Sequence, residues 1–294
     1  MAEWTWAESR GIVRVAGADA EDFLQGLSSN DVTKAGPEAA IYAALLTPQG
    51  KFLHDFFVLR SAEGFLLECD AERRADLLLR LKRYKLRAKV ELADETDAWR
   101  VGIIWGQDAE SASLAAGTTQ YADPRLPALG IRVLVPTTAG DNPLTPDATA
   151  ASFADYERLR RSLGVGAGPD DLVVEKSFLM ESGFDELAGI DRRKGCYVGQ
   201  EVTARTKYRG LVRRRLTPVT LSGGLPAEEG RITRGGRDGG ELRSHNDATG
   251  LAMLKLEALD SAEPLQCGDA VLSPSRPTWW DPALSAGTTE TAAD

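Results

Sequence analysis

Residues 40–69 read AIYAALLTPQGKFLHDFFVLRSAEGFLLEC and decide the first part of the fold. Three apolar runs lie within this stretch: AIYAALL (40–46), FLHDFFVL (52–59) and FLLEC (65–69). Pro48-Gln49-Gly50 separates the first two runs and Glu63-Gly64 the last two. Short apolar runs bounded by glycine and proline are typical of β-strands. The stretch therefore predicts three consecutive strands joined by short turns.

The flanking segments add helices to these strands. Before them, residues 12–16 (IVRVA) predict a strand, and Asp19 is expected to cap a short helix. After them, Asp70 is expected to cap a helix that ends near Tyr84, and residues 88–92 (AKVEL) predict another strand. The order β-α-β-β-β-α-β indicates an α+β layer with helices on one face of a mostly antiparallel sheet.

A second α+β segment follows. Residues 100–105 and 130–135 predict strands, and 151–163 predict a helix with apolar residues at helical spacing. Residues 177–189 fit either a helix or a loop.

The texture changes after Gly210. Short β-like pieces alternate with glycine-rich turns, at 216–221, 240–243, 249–256 and 268–273. This pattern indicates a small all-β barrel with no helix longer than about three turns. The predicted organisation is a first α+β segment at 1–95, a second at 96–210 that could interleave with it, a barrel at 211–281 and a disordered tail at 282–294.

Composition excludes several classes of protein. The 294 residues are 43% hydrophobic and 27% charged, which is ordinary for a globular chain. No apolar run approaches the roughly 18 residues that span a bilayer, so no membrane association is expected. The first residues lack a secretory signal, so a cytoplasmic location is predicted. Three separated cysteines and two histidines form no CxxC motif or local zinc cluster, so no metal site is predicted.

Charge is unevenly distributed along the chain. The formal net charge is −9, yet residues 73–89 carry eight Lys/Arg and one Asp, and 191–215 carry nine Lys/Arg and two acids. Each run therefore sums to +7, and the remainder to −23. Such runs are either solvated faces or the lining of one anion-binding cleft. The overall acidity argues against a general nucleic-acid coat protein.

Residues 194–201, KGCYVGQE, place a cation, a thiol, a phenol, an amide and a carboxylate within eight positions. Arg192, Arg193 and Lys194 precede Cys196 closely, and nearby cations favour the thiolate. Cys196 is therefore the best candidate for a reactive thiol, the alternative being a small apolar residue packed in a turn.

Two shorter motifs carry ionisable groups. Asp123-Pro124-Arg125 places an arginine where it could clamp a carboxylate or anchor its loop. His54-Asp55 lies inside an apolar strand, and strand alternation directs the two side chains to opposite faces, so that at most one faces a site.

The motif K-G-C-Y-x-G-Q-E resembles the signature of the YgfZ-type folate-binding proteins, relatives of the aminomethyltransferase (T-protein) of the glycine cleavage system. Further matches are V-A-G-x-D-A-x-x-F-L-Q-G from Val15 to Gly26, T-P-Q-G-K from Thr47 to Lys51, and L-R-A-K-V from Leu86 to Val90. The resemblance implies two ferredoxin-like α+β segments and a C-terminal barrel, arranged as a ring around a central cavity. It also implies tetrahydrofolate binding and a role in assembling or repairing iron–sulfur proteins, including tRNA-thiomethylating enzymes.

The resemblance suggests roles for individual residues. Cys196 and Lys194 would be the working thiol and its cation, and Gly195 and Gly199 would shape the loop. Tyr197, Gln200 and Glu201 would fix the loop by hydrogen bonds or contact the folate. Asn30, Asp55 and Arg125 are further candidates that would line the cavity. The expected partners are folate and iron–sulfur client or scaffold proteins.

This sequence departs from the aminomethyltransferases at two places. Their strand equivalent to residues 50–58 carries an acidic pair with the catalytic aspartate, which here reads His54-Asp55. Where they place a pterin-binding glutamate, this chain reads R-R-S-L-G at 160–164. Two alternatives remain: a folate-dependent one-carbon transferase using Asp55, and, least favoured, a tRNA-binding protein using the two basic runs.

Overall fold

The computed structural model describes residues 1–109, 117–139, 148–208, 212–224, 226 and 230–281. The strands are β1 Ala2–Trp6, β2 Arg10–Ala16, β3 Ile41–Leu46, β4 Phe52–Ser61, β5 Gly64–Asp70, β6 Glu91–Asp94, β7 Trp99–Gly106, β8 Thr119–Ala122, β9 Ile131–Pro136, β10 Thr149–Ala150, β11 Arg214–Gly223, β12 Arg231–Arg234, β13 Arg237–Asn246, β14 Thr249–Lys255, β15 Leu265–Cys267 and β16 Ala270–Pro274. The α-helices are α1 Ala20–Gln25, α2 Arg74–Lys85, α3 Phe153–Ser162, α4 Gln200–Tyr208 and α5 Leu256–Leu259.

The first sheet has the order β3-β4-β5-β2-β6, with every neighbouring pair antiparallel. The three consecutive strands predicted at 40–69 are therefore confirmed. One face of the sheet packs against α1 and α2 through Leu24, Leu77 and Leu81, which are almost fully buried. The predicted cap at Asp19 is not formed, because its carboxylate accepts a hydrogen bond from the Lys89 amide instead.

The second sheet has the order β10-β1-β7-β9-β8. The first strand of the chain thus pairs with β7, whereas the next strand, β2, lies in the first sheet. Helix α3 begins with a capping box formed by Ser152 and Asp155. The segment 177–189 contains a 3₁₀ turn at Leu179–Ser182, in agreement with its mixed sequence signals.

The C-terminal strands close a barrel in the order β11-β14-β13-β12-β15-β16. Between residues 212 and 281, the one α-helix in the described part is the four-residue α5, so the all-β prediction is confirmed. Among the described residues, no helix is both long and apolar enough to cross a membrane. The tail predicted at 282–294 lies outside the described residues.

Glu68 on β5 joins the two sheets. Its buried carboxylate accepts hydrogen bonds from Arg10 Nε (2.9 Å) in its own sheet and from Arg132 Nε (3.0 Å) on β9 of the other. Tyr121 Oη on β8 also donates to it. Burial alone would raise the pKa of Glu68, but the charges of Arg132 and Arg10 bring it down to about 2. The ionised carboxylate therefore holds two guanidinium groups from different sheets.

The structure predicts that Glu68→Gln strongly destabilises the protein. The substitution removes the carboxylate that Arg10 and Arg132 share and leaves Arg132 only the more distant Asp123 carboxylate at 3.8 Å, which should lower the free energy of unfolding by roughly 3–5 kcal/mol. Urea denaturation at pH 7 measures the change. Glu63→Gln is the matched control, because its carboxylate is 75% exposed in an ion pair with Arg14 and its loss should change stability by less than about 0.5 kcal/mol.

The same pair of variants tests the pH dependence. Because the pKa of Glu68 falls from 4.5 to about 2 on folding, its stabilising effect is complete above pH 4.5 and is lost as the pH drops toward 2. The difference in the free energy of unfolding between wild type and Glu68→Gln should therefore become smaller as the pH falls from 4.5 toward 2. Equal stability of the Glu68 and Glu63 variants at pH 7 would contradict the role given to this network.

Candidate functional site

The loop 194–201 is fixed to the end of α1 by Lys194. Its ammonium donates hydrogen bonds to the carbonyl oxygens of Gln25 (2.6 Å) and Ser28, and lies 5.0 Å from the centre of the Tyr197 ring. Burial lowers the pKa of Lys194 to about 8. The lysine therefore holds the loop to the first sheet through backbone contacts.

The two glycines of the loop have different roles. Both have positive φ angles, +92° at Gly195 and +85° at Gly199. A Cβ at Gly199 would lie 2.6 Å from the carbonyl oxygen of Thr47, whereas one at Gly195 would meet no atom within 4 Å. Gly199 thus allows the loop to contact the β3–β4 turn closely, and Gly195 supplies only the backbone conformation.

Cys196 is the exposed cysteine of the three; Cys69 and Cys267 are buried. Of the cations expected to act on it, Arg192 pairs with Asp185 (2.6 Å) and Lys194 bonds to the carbonyls described above. The structure thus presents the thiol at the surface and engages two of its three neighbouring cations elsewhere.

Residues 28–31 contact the backbone that leads into the loop 194–201. Asn30 Nδ2 donates to the carbonyl oxygens of Tyr42 and Ala188 (2.7 Å each), and its Oδ1 accepts from the Asp31 amide. Ser29 Oγ donates to the Gly189 carbonyl (2.6 Å). Asn30 is therefore a positioning residue that ties the approach to the loop to β3, and it does not line the cavity described next, where the sequence predicted it.

A cavity of about 140 Å³ lies between the two sheets, beside the Glu68 network. Its walls contain the arginines Arg10, Arg125, Arg132 and Arg160, the acids Asp55, Asp70, Glu157 and Asp170, and the rings of Phe57, Phe153 and Tyr156. Equal numbers of cations and carboxylates around aromatic rings suit a polar, planar ligand better than a simple anion.

Asp55 is the member of the His54-Asp55 pair that faces this cavity. It accepts a hydrogen bond from Tyr42 Oη (2.9 Å), and burial raises its pKa. His54 points to the other face, where its Nε2 lies 2.9 Å from Asp76 on α2. Burial, with the charge of Arg73, lowers the pKa of His54 to about 4. The predicted division of the pair between opposite faces is thus observed.

Arg125 lines the cavity but its charge is already paired. Its Nε and Nη2 donate to the two carboxylate oxygens of Asp123 at 2.9 and 2.6 Å, and its guanidinium lies 4.9 Å from the centre of the Phe57 ring. The Asp123-Pro124-Arg125 motif therefore clamps its own carboxylate and stacks the guanidinium over the cavity wall.

Several cavity residues were not predicted as site residues from the sequence. Glu157 and Arg160 lie on α3, where Arg160 forms a bidentate pair with Glu157 (2.8 and 2.6 Å). The hydroxyl of Tyr156 is buried and has no hydrogen-bond partner among the described residues. Arg132 carried a usable signal, because it is a charge inside an apolar strand, and so did Glu68, which binds Arg132 beside the cavity.

The predicted site residues thus fall into two places. None of residues 194–201 lines the cavity, and neither basic run does. Tyr197 connects the two places, because its ring belongs to the same apolar core as Tyr42 and Phe57. Gln200 and Glu201 begin α4, where the Gln200 amide donates to the Tyr197 carbonyl (3.2 Å).

The overall architecture matches a known fold. Over 93% of its length, the chain superposes on the glycine cleavage system aminomethyltransferase T from Bartonella henselae, with a TM-score of 0.73 and 84% of that chain covered. The sequences are 15% identical, so this likeness concerns the fold. The family model of the GCVT N-terminal domain matches residues 7–130, and that of the CAF17 C-terminal beta-barrel domain matches 213–282. The chain is thus a protein of the aminomethyltransferase fold class with a CAF17-type barrel.

Sequence relatives narrow the class. The chain is 35% identical to the mitochondrial iron-sulfur cluster assembly factor IBA57 of Mus musculus, over 94% of this chain and 85% of that protein. It is 37% identical to the mitochondrial IBA57 homolog of Pyricularia oryzae, over 88% of this chain and 73% of that protein. The chain therefore belongs to the IBA57 family, which confirms the resemblance found in the motif. The prediction of a cytoplasmic location is wrong on this comparison, because these relatives are named as mitochondrial proteins.

The geometry of the loop predicts different costs for its two glycines. Gly199→Ala combines a strained φ with a clash against the Thr47 carbonyl, and should lower the free energy of unfolding by about 2–4 kcal/mol. Gly195→Ala has the same kind of φ in open space and should cost about 1–2 kcal/mol. Paired thermal and urea melts measure the difference. An equal cost for both would show that the loop does not rest on the β3–β4 turn.

Proposed function

We propose that the chain is an accessory factor in the assembly or repair of iron–sulfur proteins, with a reduced folate bound in the inter-sheet cavity and Cys196 as its working thiol. Membership of the IBA57 family supports the iron–sulfur role. The observation that carries the role of the thiol is its exposure on a loop secured on both sides, by Lys194 to α1 and by Gly199 to the β3–β4 turn. The clients would include enzymes that thiomethylate tRNA.

The cavity residues suit the pterin ring of a folate, the part of the ligand that a space of about 140 Å³ can hold. Tyr156 brings a buried hydroxyl that has no partner among the described residues, and Asp55 brings a buried carboxyl group. Together they could donate and accept hydrogen bonds at the edge of a pterin, while Phe57 offers a ring to its face. A bound tetrahydrofolate supplies a carrier for one-carbon units. In this proposal the ligand lies between the two sheets and helix α3.

The loop residues would act on the client rather than on the folate. Lys194 positions the backbone, the glycines permit its turn, and Tyr197 packs the loop onto the core. The Cys196 thiol then meets an iron–sulfur protein at the surface, where a soft thiolate is a suitable ligand or nucleophile for iron–sulfur chemistry.

A folate-dependent one-carbon transferase is the second candidate. It is favoured by one observation, the position of Asp55 on the cavity wall with Tyr42 bonded to it. Formation of methylene-tetrahydrofolate from an aminomethyl donor at enzyme-like rates would support it. Such turnover should then vanish in Asp55→Asn and persist in Cys196→Ala.

Tetrahydrofolate is expected to bind in the micromolar range, on the order of −8 kcal/mol. Isothermal calorimetry on the full chain measures the affinity. Tyr156→Phe removes the unpartnered hydroxyl and should weaken binding about tenfold, because one buried hydrogen bond is worth roughly 1–2 kcal/mol. His54→Gln is the control, since His54 faces α2. No heat at millimolar ligand would reject the folate site.

Cys196 is expected to alkylate in the native protein at pH 7 while Cys69 and Cys267 stay protected, because only the exposed thiol can be reached without unfolding. Mass spectrometry of the three cysteines with time measures these rates.

The Cys196→Ala protein should melt at the wild-type temperature but fail to restore iron–sulfur enzyme activity in cells that lack the chain. Cys267→Ala tests specificity, because a buried barrel thiol has no route to a client. Full activity of Cys196→Ala in cells, with slow alkylation of the wild-type thiol, would overturn the reactive-thiol proposal.

A further inference from the structure

The outer side of α2 exposes apolar side chains that the fold does not use. Among the described residues, the exposed large hydrophobic side chains are Met1 and three close together on and after α2: Leu79 (49%), Tyr84 (37%) and Leu86 (89%). The inner side of the same helix is fully engaged, because Leu77 and Leu81 are buried in the core. These three side chains lie outside the core, and Leu79 and Tyr84, five positions apart, project about 140° from each other around the helix.

Basic residues lie in the same segment as these three side chains. Three arginines of this segment form ion pairs: Arg73 with Asp76, Arg80 with Asp76 and Glu175, and Arg74 with Asp94. Beyond them, five more cations follow within eight residues: Lys82, Arg83, Lys85, Arg87 and Lys89. Four of the five are exposed. We call these five cations with Leu79, Tyr84 and Leu86 the α2 face.

Leu86 has a backbone conformation that packing does not explain. Its φ is +42°, in the left-handed region that a leucine avoids. Burial gives no compensation, since the side chain is almost entirely exposed. A strained, exposed apolar residue beside a helix end indicates a contact made outside the chain.

The α2 face continues toward the loop of Cys196. A groove of about 210 Å³ separates Arg83 and Tyr84 from Thr47 and Pro48 of the β3–β4 turn. On the other side of that turn, Gly50 lies against Val202 and Gly199. The β3–β4 turn thus links the α2 face to the base of the Cys196 loop.

We propose that the α2 face docks an acidic surface of the iron–sulfur protein on which Cys196 acts, an inference that rests on the proposed function. Charge complementarity selects the partner, because the α2 face carries five cations in a chain of net charge −9. Exposed leucines and a tyrosine among basic side chains favour a protein partner, because a leucine side chain makes no hydrogen bond to phosphate. Since Leu77 and Leu81 are committed to the core, too little apolar area remains for insertion into a lipid surface.

The test uses a carbodiimide, which couples amines directly to carboxylates without a spacer. The full-length tagged chain is treated in complemented cells, and the peptides coupled to Lys82, Lys85 or Lys89 are identified by mass spectrometry. The proposal expects acidic peptides from an iron–sulfur scaffold or client protein. The identified partner, once purified, should bind the chain with a Kd that rises with salt.

Two variants and one matched control separate docking from other effects. Arg83→Glu with Arg87→Glu should weaken binding of the purified partner about tenfold, and Leu79→Gln with Leu86→Gln should do so without lowering the melting temperature. Arg231→Glu with Arg237→Glu makes the same charge change on the barrel and should have no effect. Coupling only between two copies of the chain, coupling only to nuclease-sensitive material, or no loss in the α2 variants would overturn the proposal.

Cys196→Ala distinguishes this inference from the function on which it rests. Docking does not need the thiol, so coupling at α2 should persist in Cys196→Ala while iron–sulfur activity in cells is lost. If Cys196→Ala restores activity in cells but the α2 variants still bind the partner more weakly, the docking surface is supported and the proposed role of the thiol is rejected. If coupling disappears in Cys196→Ala, the α2 face is not an independent docking surface.

Discussion

The buried carboxylate of Glu68 is the interaction on which the arrangement of the two sheets depends. One ionised acid binds Arg10 of the first sheet and Arg132 of the second, so neither sheet can shift without exposing a charge to an apolar interior. The cavity lies directly beside this network, and both arginines form part of its wall. The position of Asp55 and Tyr156 across that space follows from the same constraint.

Sequence patterns predicted the first sheet well because its signals are local. Strands β3, β4 and β5 follow one another, and each is a continuous apolar run bounded by turn residues. Helix α4 was missed for the opposite reason: QEVTARTKY has no apolar stripe, and its start depends on the contact of Gly199 with the β3–β4 turn. The short strand β10 gains its structure from β1, which lies far away in sequence.

The candidate site was recognised in its parts but not in its layout. Motif spacing pointed to Cys196 and Asp55, yet sequence carries no measure of whether two such residues share one space. The structure separates them, with Tyr197 packed into the core between the loop and the cavity side chains. The role of Asn30 could not be predicted for the same reason. Its side-chain amide bonds to backbone groups of Tyr42, Ala188 and Asp31, which come together only in the folded protein.

The pairing of β1 with β7 has a consequence for synthesis on the ribosome. Strand β1 leaves the ribosome before its partner β7, which begins at Trp99. The edge of β1 therefore has no partner while about a hundred further residues are added. At 5–20 residues per second this delay is roughly 5–20 s. During that time Trp4 and Trp6 have no sheet to join, and the nascent chain is open to non-native pairing. Folding of the second sheet is therefore a late, long-range event, and the growing chain has an interval in which chaperone binding at its first strand would be productive.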